Sequence, residues 1–129
     1  MDPKDITVFI VDDDDSVRRS LKRLIKVAGF RTKAFGSARE FIESGHHLST
    51  GILILDVRMP EMSGLELQKH LAGLDSDMPI IFITAHRDSQ ARKKALEAGA
   101  VDFLLKPFEE QTMLNAVKKA ISRYSLPKE

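Results

Sequence analysis

The chain has 129 residues, with 20 basic and 19 acidic side chains for a net charge of +1, and no cysteine. That length suits one domain whose core needs no disulfide or structural metal, and the missing thiols exclude a disulfide framework or a thiolate metal site. The even charge balance gives no support to nucleic-acid binding by this chain, and no apolar stretch nears the roughly 20 residues of a membrane span.

The opening "MDPKDITVFIVD" has a short apolar run that ends in acid, unlike a signal peptide, so a soluble, cytoplasmic protein is expected. Within it, "ITVFIV" (6–11) reads as a strand covered on both faces. Four aspartates, Asp12 to Asp15, follow. Val17, Leu21, Leu24, Ile25 and Ala28 then recur at helical spacing, and Gly29 sits where a helix would stop. Asp15 or Ser16 is the expected cap of this helix, where negative charge favours the positive end of the dipole. "FRTKAF" (30–35) alternates weakly and suggests a short strand near a sheet edge. "SAREFIES" (37–44) reads as a helix capped by Ser37.

"GILIL" (51–55) is a second buried strand, ending at Asp56, and a helix capped by Ser63 runs over 63–74. "PIIFIT" (79–84) ends at Thr84. The helix expected over 87–99 has an inner face of Ala91, Ala95 and Ala98, which packs closely but buries little area. "VDFLLK" (101–106) ends at Lys106, and a last helix over 109–124 carries Leu114, Val117 and Ile121 on one stripe. The tail 125–129 is polar and is expected to fray. His46, His47 and His70 lack partners at metal-ligand spacing and are expected to be solvated.

Five strand-then-helix units argue for an α/β, doubly wound sandwich on a parallel sheet, a single domain over 1–129 with its core at about 5–124. We expect the flavodoxin-like (βα)5 order 2-1-3-4-5, one common solution that periodicity alone does not select. Ligands of such sheets bind outside the carboxyl ends of the strands. There this chain leaves Asp12, Asp13, Asp56, Thr84 and Lys106. Clustered carboxylates repel unless a cation sits among them, and hard oxygens select Mg²⁺ or Mn²⁺. A carboxylate can also attack phosphorus and form an acyl phosphate. A metal, a lysine and a hydroxyl suit the charge of that transition state.

The stretches "VDDDDSVRRSL", "LDVRMPEMSGLEL", "ITAH" and "GAVDFLLKPF" resemble the receiver domain of bacterial two-component response regulators, in that family's order and spacing. Their wording is most similar to receivers attached to helix-turn-helix transcription factors. The resemblance implies that Asp56 is the phosphoacceptor for a sensor histidine kinase. It implies that Asp13 and Asp56 hold Mg²⁺ with the backbone carbonyl of Arg58, and Asp12 mainly through water. Lys106 and Thr84 would bind the phosphoryl oxygens, and Phe103 would be an aromatic switch residue. Lys106–Pro107 would be a cis peptide. Arg58 and His86, each two residues past a site residue, would modulate loss of the phosphoryl group. Readout would pass to the fourth helix, fifth strand and fifth helix, through homodimerisation or a DNA-binding output domain outside these residues. On this reading the chain is a signalling domain and catalyses only its own phosphorylation and dephosphorylation.

Two rivals remain. Asp13-x-Asp15-x-Val17 fits the start of haloacid-dehalogenase-type phosphatases, with Asp13 as nucleophile. A flavodoxin-like FMN module is the other, though four aspartates would repel its phosphate and the chain has no Trp and one Tyr.

Overall fold

In the computed structural model, which describes residues 2–125, the four apolar runs and the weakly alternating segment form five parallel strands. They are β1 (Thr7–Val11), β2 (Arg31–Phe35), β3 (Gly51–Asp56), β4 (Ile80–Thr84) and β5 (Asp102–Leu105), in the order β2-β1-β3-β4-β5. Helices α1 (Asp15–Val27), α2 (Ala38–Ser44), α3 (Gly64–Gly73), α4 (Ser89–Glu97) and α5 (Glu110–Ser125) fill the crossovers. Single 3₁₀ turns cover Pro3–Asp5 and His46–Leu48. The expected order is observed, and β2, with its weak alternation, lies at an edge. From residue 126 on, the tail expected to fray lies outside the described residues.

Side-chain alternation along the strands builds two cores. Phe9, Val11, Leu53, Leu55 and Phe82 face Phe41, Leu67, Ala91 and Ala95 on one side of the sheet. Ile6, Val8, Ile10, Ile52, Ile54, Ile81 and Ile83 face Leu21, Ile25, Met113 and Val117 on the other. Every residue of the central β3 is buried. Full burial of each aliphatic side chain there contributes roughly 1.5–3 kcal/mol.

Several local expectations need correction. Asp14, neither Asp15 nor Ser16, caps α1: its carboxylate accepts the backbone N–H groups of Ser16 and Val17. Asp15 is already helical and pairs with Arg18 and Arg19. At the other end the helix stops at Gly29 as expected: Ala28 is the cap and Gly29 (φ 102°) turns the chain after it. On α4, Ala91 and Ala95 are buried but Ala98 is exposed, because the helix ends at Glu97 and Ala98 is its cap. The buried stripe of α5 is Met113, Ala116, Val117 and Ala120; Leu114 and Ile121 are half-buried on its border. His46 and His47 are half-buried rather than solvated, with His46 stacked on Phe9 at 5.1 Å between ring centres. His70 is exposed. Ser37 and Ser63 cap α2 and α3 as expected, and Glu66 completes a capping box with Ser63.

Candidate functional site

Parallel register assembles the acidic cluster. β1 and β3 are neighbours with Ile10 beside Ile54 and Val11 beside Leu55. The next residues along, Asp12 and Asp56, therefore lie side by side at the carboxyl end of the sheet. Asp12, Asp13 and Asp56 each bring a carboxylate oxygen to within 4.8 Å of the others. Asp12 is fully buried and Asp56 5% exposed, whereas Asp13 is open to solvent. Lys106, just past β5, reaches across to them. Its Nζ lies 2.8 Å from Asp12 Oδ2 and 3.6 Å from Asp56 Oδ1. A single ammonium thus faces three carboxylates.

The electrostatics follow from that imbalance. Burial, then the charge of Asp12, pushes the Asp56 carboxyl up to about 6, against the opposing pull of Lys106. Burial alone would lower the Lys106 ammonium, but its hydrogen bond to Asp12 and the charges of Asp12 and Asp56 prevail and raise it. Asp12 therefore opposes the charge of Asp56 while it supports that of Lys106. The donor set suits a hard divalent cation: all-oxygen, anionic, and short of positive charge.

The three aspartates are not equivalent. Asp12 uses both oxygens, one for the backbone N–H of Asp14 at 2.9 Å and one for Lys106. Among the described residues nothing hydrogen-bonds the Asp13 carboxylate. Asp13 is thus the carboxylate of the three with both oxygens unengaged among the described residues.

Thr84 ends β4, one residue past the partner of Asp56 in the ladder, and is buried. Its Oγ1 accepts the backbone N–H of His86 at 3.2 Å, which leaves its own hydrogen to donate. Lys106 donates its backbone N–H to the Thr84 carbonyl at 2.7 Å, so one backbone hydrogen bond ties the two residues together. The Lys106–Pro107 bond is cis, as expected. Arg58 and His86 are exposed on the loops after β3 and β4, and Arg58 lies 3.9 Å from the α4 cap Asp88. Phe103 is half-buried, packs on Phe82 at 6.0 Å, and borders a hollow of about 470 Å³ lined by His86, Asp88, Arg92 and Leu105.

Gly64 escaped the sequence reading. A Cβ there would stand 2.3 Å from the carbonyl oxygen of Asp56, and its N–H bonds the Val57 carbonyl at 2.8 Å. The start of α3 thus presses directly on the backbone that carries Asp56. The signal in the sequence was a glycine directly after a helix cap, in "MSG", where a helix former would ordinarily stand.

The geometry bears on the rivals. A D-x-D phosphatase motif needs Asp15 in the site, yet Asp15 is 66% exposed on its side chain and engaged with Arg18 and Arg19.

Comparison with known proteins agrees with this picture. Residues 8–118 match the family described as the response regulator receiver domain. Over 121 residues the chain is 46% identical to "Response regulator protein TmoT" of Ectopseudomonas mendocina, an alignment covering 94% of this chain and 55% of that protein. It is 42% identical over 116 residues to "Transcriptional regulatory protein FixJ" of Rhizobium meliloti, covering 90% and 57%. The solved structure of FixJ-N superposes with a TM-score of 0.86 at 40% identity, covering 98% of this chain and 99% of that one. The chain spans a little over half the length of those two curated relatives.

Proposed function

The chain belongs to the response regulator receiver domain family, the phosphoacceptor switches of two-component signalling, and from that premise we propose that Asp56 is its phosphoacceptor. A carboxylate oxygen of Asp56 attacks the phosphorus of a phosphohistidine on a sensor histidine kinase. The new O–P bond forms as the P–N bond breaks, and the imidazole leaves with its electron pair. The observation that carries this reading is the convergence of Asp12, Asp13, Asp56 and Lys106 at the carboxyl end of the sheet.

Asp13 and Asp56, with the backbone carbonyl of Arg58, would hold Mg²⁺ or Mn²⁺, and Asp12 would act mainly through water. When bound, the metal supplies positive charge against the phosphoryl oxygens and among the carboxylates. Lys106 offers its ammonium, and Thr84 its hydroxyl hydrogen, to the same oxygens. Arg58 and His86 flank the acyl phosphate and set the access of the attacking water. Phe103 turns inward into the space Thr84 vacates as it shifts toward the phosphoryl group. The face of α4, β5 and α5 then changes, for homodimerisation or for control of a DNA-binding output domain, and so of transcription.

Intact mass after incubation with a small phosphodonor tests the reading. Wild type with Mg²⁺ gains one phosphoryl group; Asp56→Asn gains none, and chelation suppresses the gain. Turnover retained in Asp56→Asn would instead support the phosphatase with Asp13 as nucleophile.

A further inference from the structure

Arg18, on the first turns of α1, is only 22% exposed on its side chain, whereas its neighbour Arg19 is 71% exposed. Its Nη1 donates to the backbone carbonyl of Asp12 at 2.7 Å, and its Nη2 to Asp15 Oδ1 at 3.2 Å. The Asp12 carbonyl belongs to the peptide that leads into Asp13. On the other side, the Asp12 N–H donates to the Phe35 carbonyl of β2 at 3.2 Å. Between them these two bonds hold the backbone entering Asp13. The Asp13 carboxylate itself has no hydrogen bond among the described residues and is exposed, so its aim depends on the peptide that carries it.

We propose that Arg18 is a positioning residue, whose grip on the Asp12 carbonyl orients Asp13 for divalent-cation binding; the inference rests on the metal site described above. Electrostatics alone makes the opposite prediction. Arg18 is a positive charge beside a cation site, and removing it should tighten binding by lessening repulsion. A positioning role makes removal loosen binding, as loss of groups that orient metal ligands does. The sign therefore separates the two roles.

The test is Mn²⁺ affinity of the full chain, titrated by electron paramagnetic resonance of the free ion, with thermal unfolding in parallel. Arg18→Met should weaken Mn²⁺ binding roughly tenfold. Arg18→Lys keeps a donor for the Asp12 carbonyl and should recover most of the affinity. Arg19→Met removes the same charge one residue away and should leave affinity unchanged or slightly tighter. Affinity at or above wild type in Arg18→Met overturns the proposal, and so does a loss in Arg18→Lys as large as in Arg18→Met. Should Arg18→Met fail to fold, Arg18→Ala takes its place: weaker Mn²⁺ binding supports the proposal, and affinity at or above wild type overturns it. Asp13→Asn reports on the underlying site: if it binds Mn²⁺ like wild type, the metal site fails, whatever Arg18 does.

Discussion

With its carboxyl pushed up to about 6 by burial and by Asp12, Asp56 opposes folding of the metal-free protein at neutral pH. The folded state holds its proton up to about pH 6, the unfolded state only to about 3.8, so between these values the folded state binds more protons. Stability from this group is therefore present at low pH and is lost as pH rises through the folded value. The difference amounts to about 3 kcal/mol at pH 7. In chelator, urea unfolding of wild type minus that of Asp56→Asn should show this loss between about pH 4 and pH 7, and Asp56→Asn should be the more stable at pH 7. A flat difference across that range would mean Asp56 is not desolvated as described. The residues that carry the site were legible because acids, a hydroxyl and a lysine at strand ends are a conspicuous pattern. Which aspartate caps α1 was not, because the cap is set by where helical backbone angles begin, and Asp14, Asp15 and Ser16 are all good caps by type. The stacking of His46 on Phe9 was equally invisible, since it depends on a 3₁₀ turn bringing distant residues together.

At the scale of elements, α3 starts hard against β3 at Gly64, where no side chain stands between the two backbones. Gly64→Ala would drive a Cβ into the Asp56 carbonyl and should destabilise by roughly 1–3 kcal/mol, with slowed phosphorylation as Asp56 is displaced. Gly73→Ala, at the end of the same helix with nothing within 4 Å of the added Cβ, should be neutral or slightly stabilising. Equal effects in the two variants, read by denaturant unfolding, would contradict the close-approach argument. The last turn of α5 is tied down by a different device. Tyr124 Oη donates to the Gly51 carbonyl and accepts the Gly51 N–H, and Arg123 donates to the Gly99 carbonyl at 2.7 Å. Tyr124→Phe should cost about 1 kcal/mol, measured as a fall in unfolding midpoint. Strand and helix positions were readable from apolar runs and helical spacing. The buried face of α4 was read correctly but for Ala98, and that of α5 was right at Val117 and one residue off at Leu114 and Ile121, because the helix ends and the tilt of each helix on the sheet decide which side chains are covered, and neither is written in periodicity.

For the whole molecule, alternating strands and helices specify a parallel sheet, but the order in which strands lie side by side comes from packing. That order places β1 between β2 and β3 and sets Asp12 beside Asp56. A different order would scatter the same residues, so the motif match and the topology support each other. Phosphorylation adds about −1.5 to −2 charge to a cluster already short of cations, and the proposed switch would answer on the α4, β5 and α5 face. Sedimentation of phosphorylated and unphosphorylated protein should reveal a shift toward dimer that Phe103→Ala weakens. The central claim, that Asp56 accepts the phosphoryl group, is tested most directly by locating it. After phosphotransfer from a small donor with Mg²⁺, borohydride should reduce the acyl phosphate, and peptide mass mapping should find the altered residue at position 56 and nowhere else. Modification at Asp13 or Asp12, or on a histidine, would contradict the account.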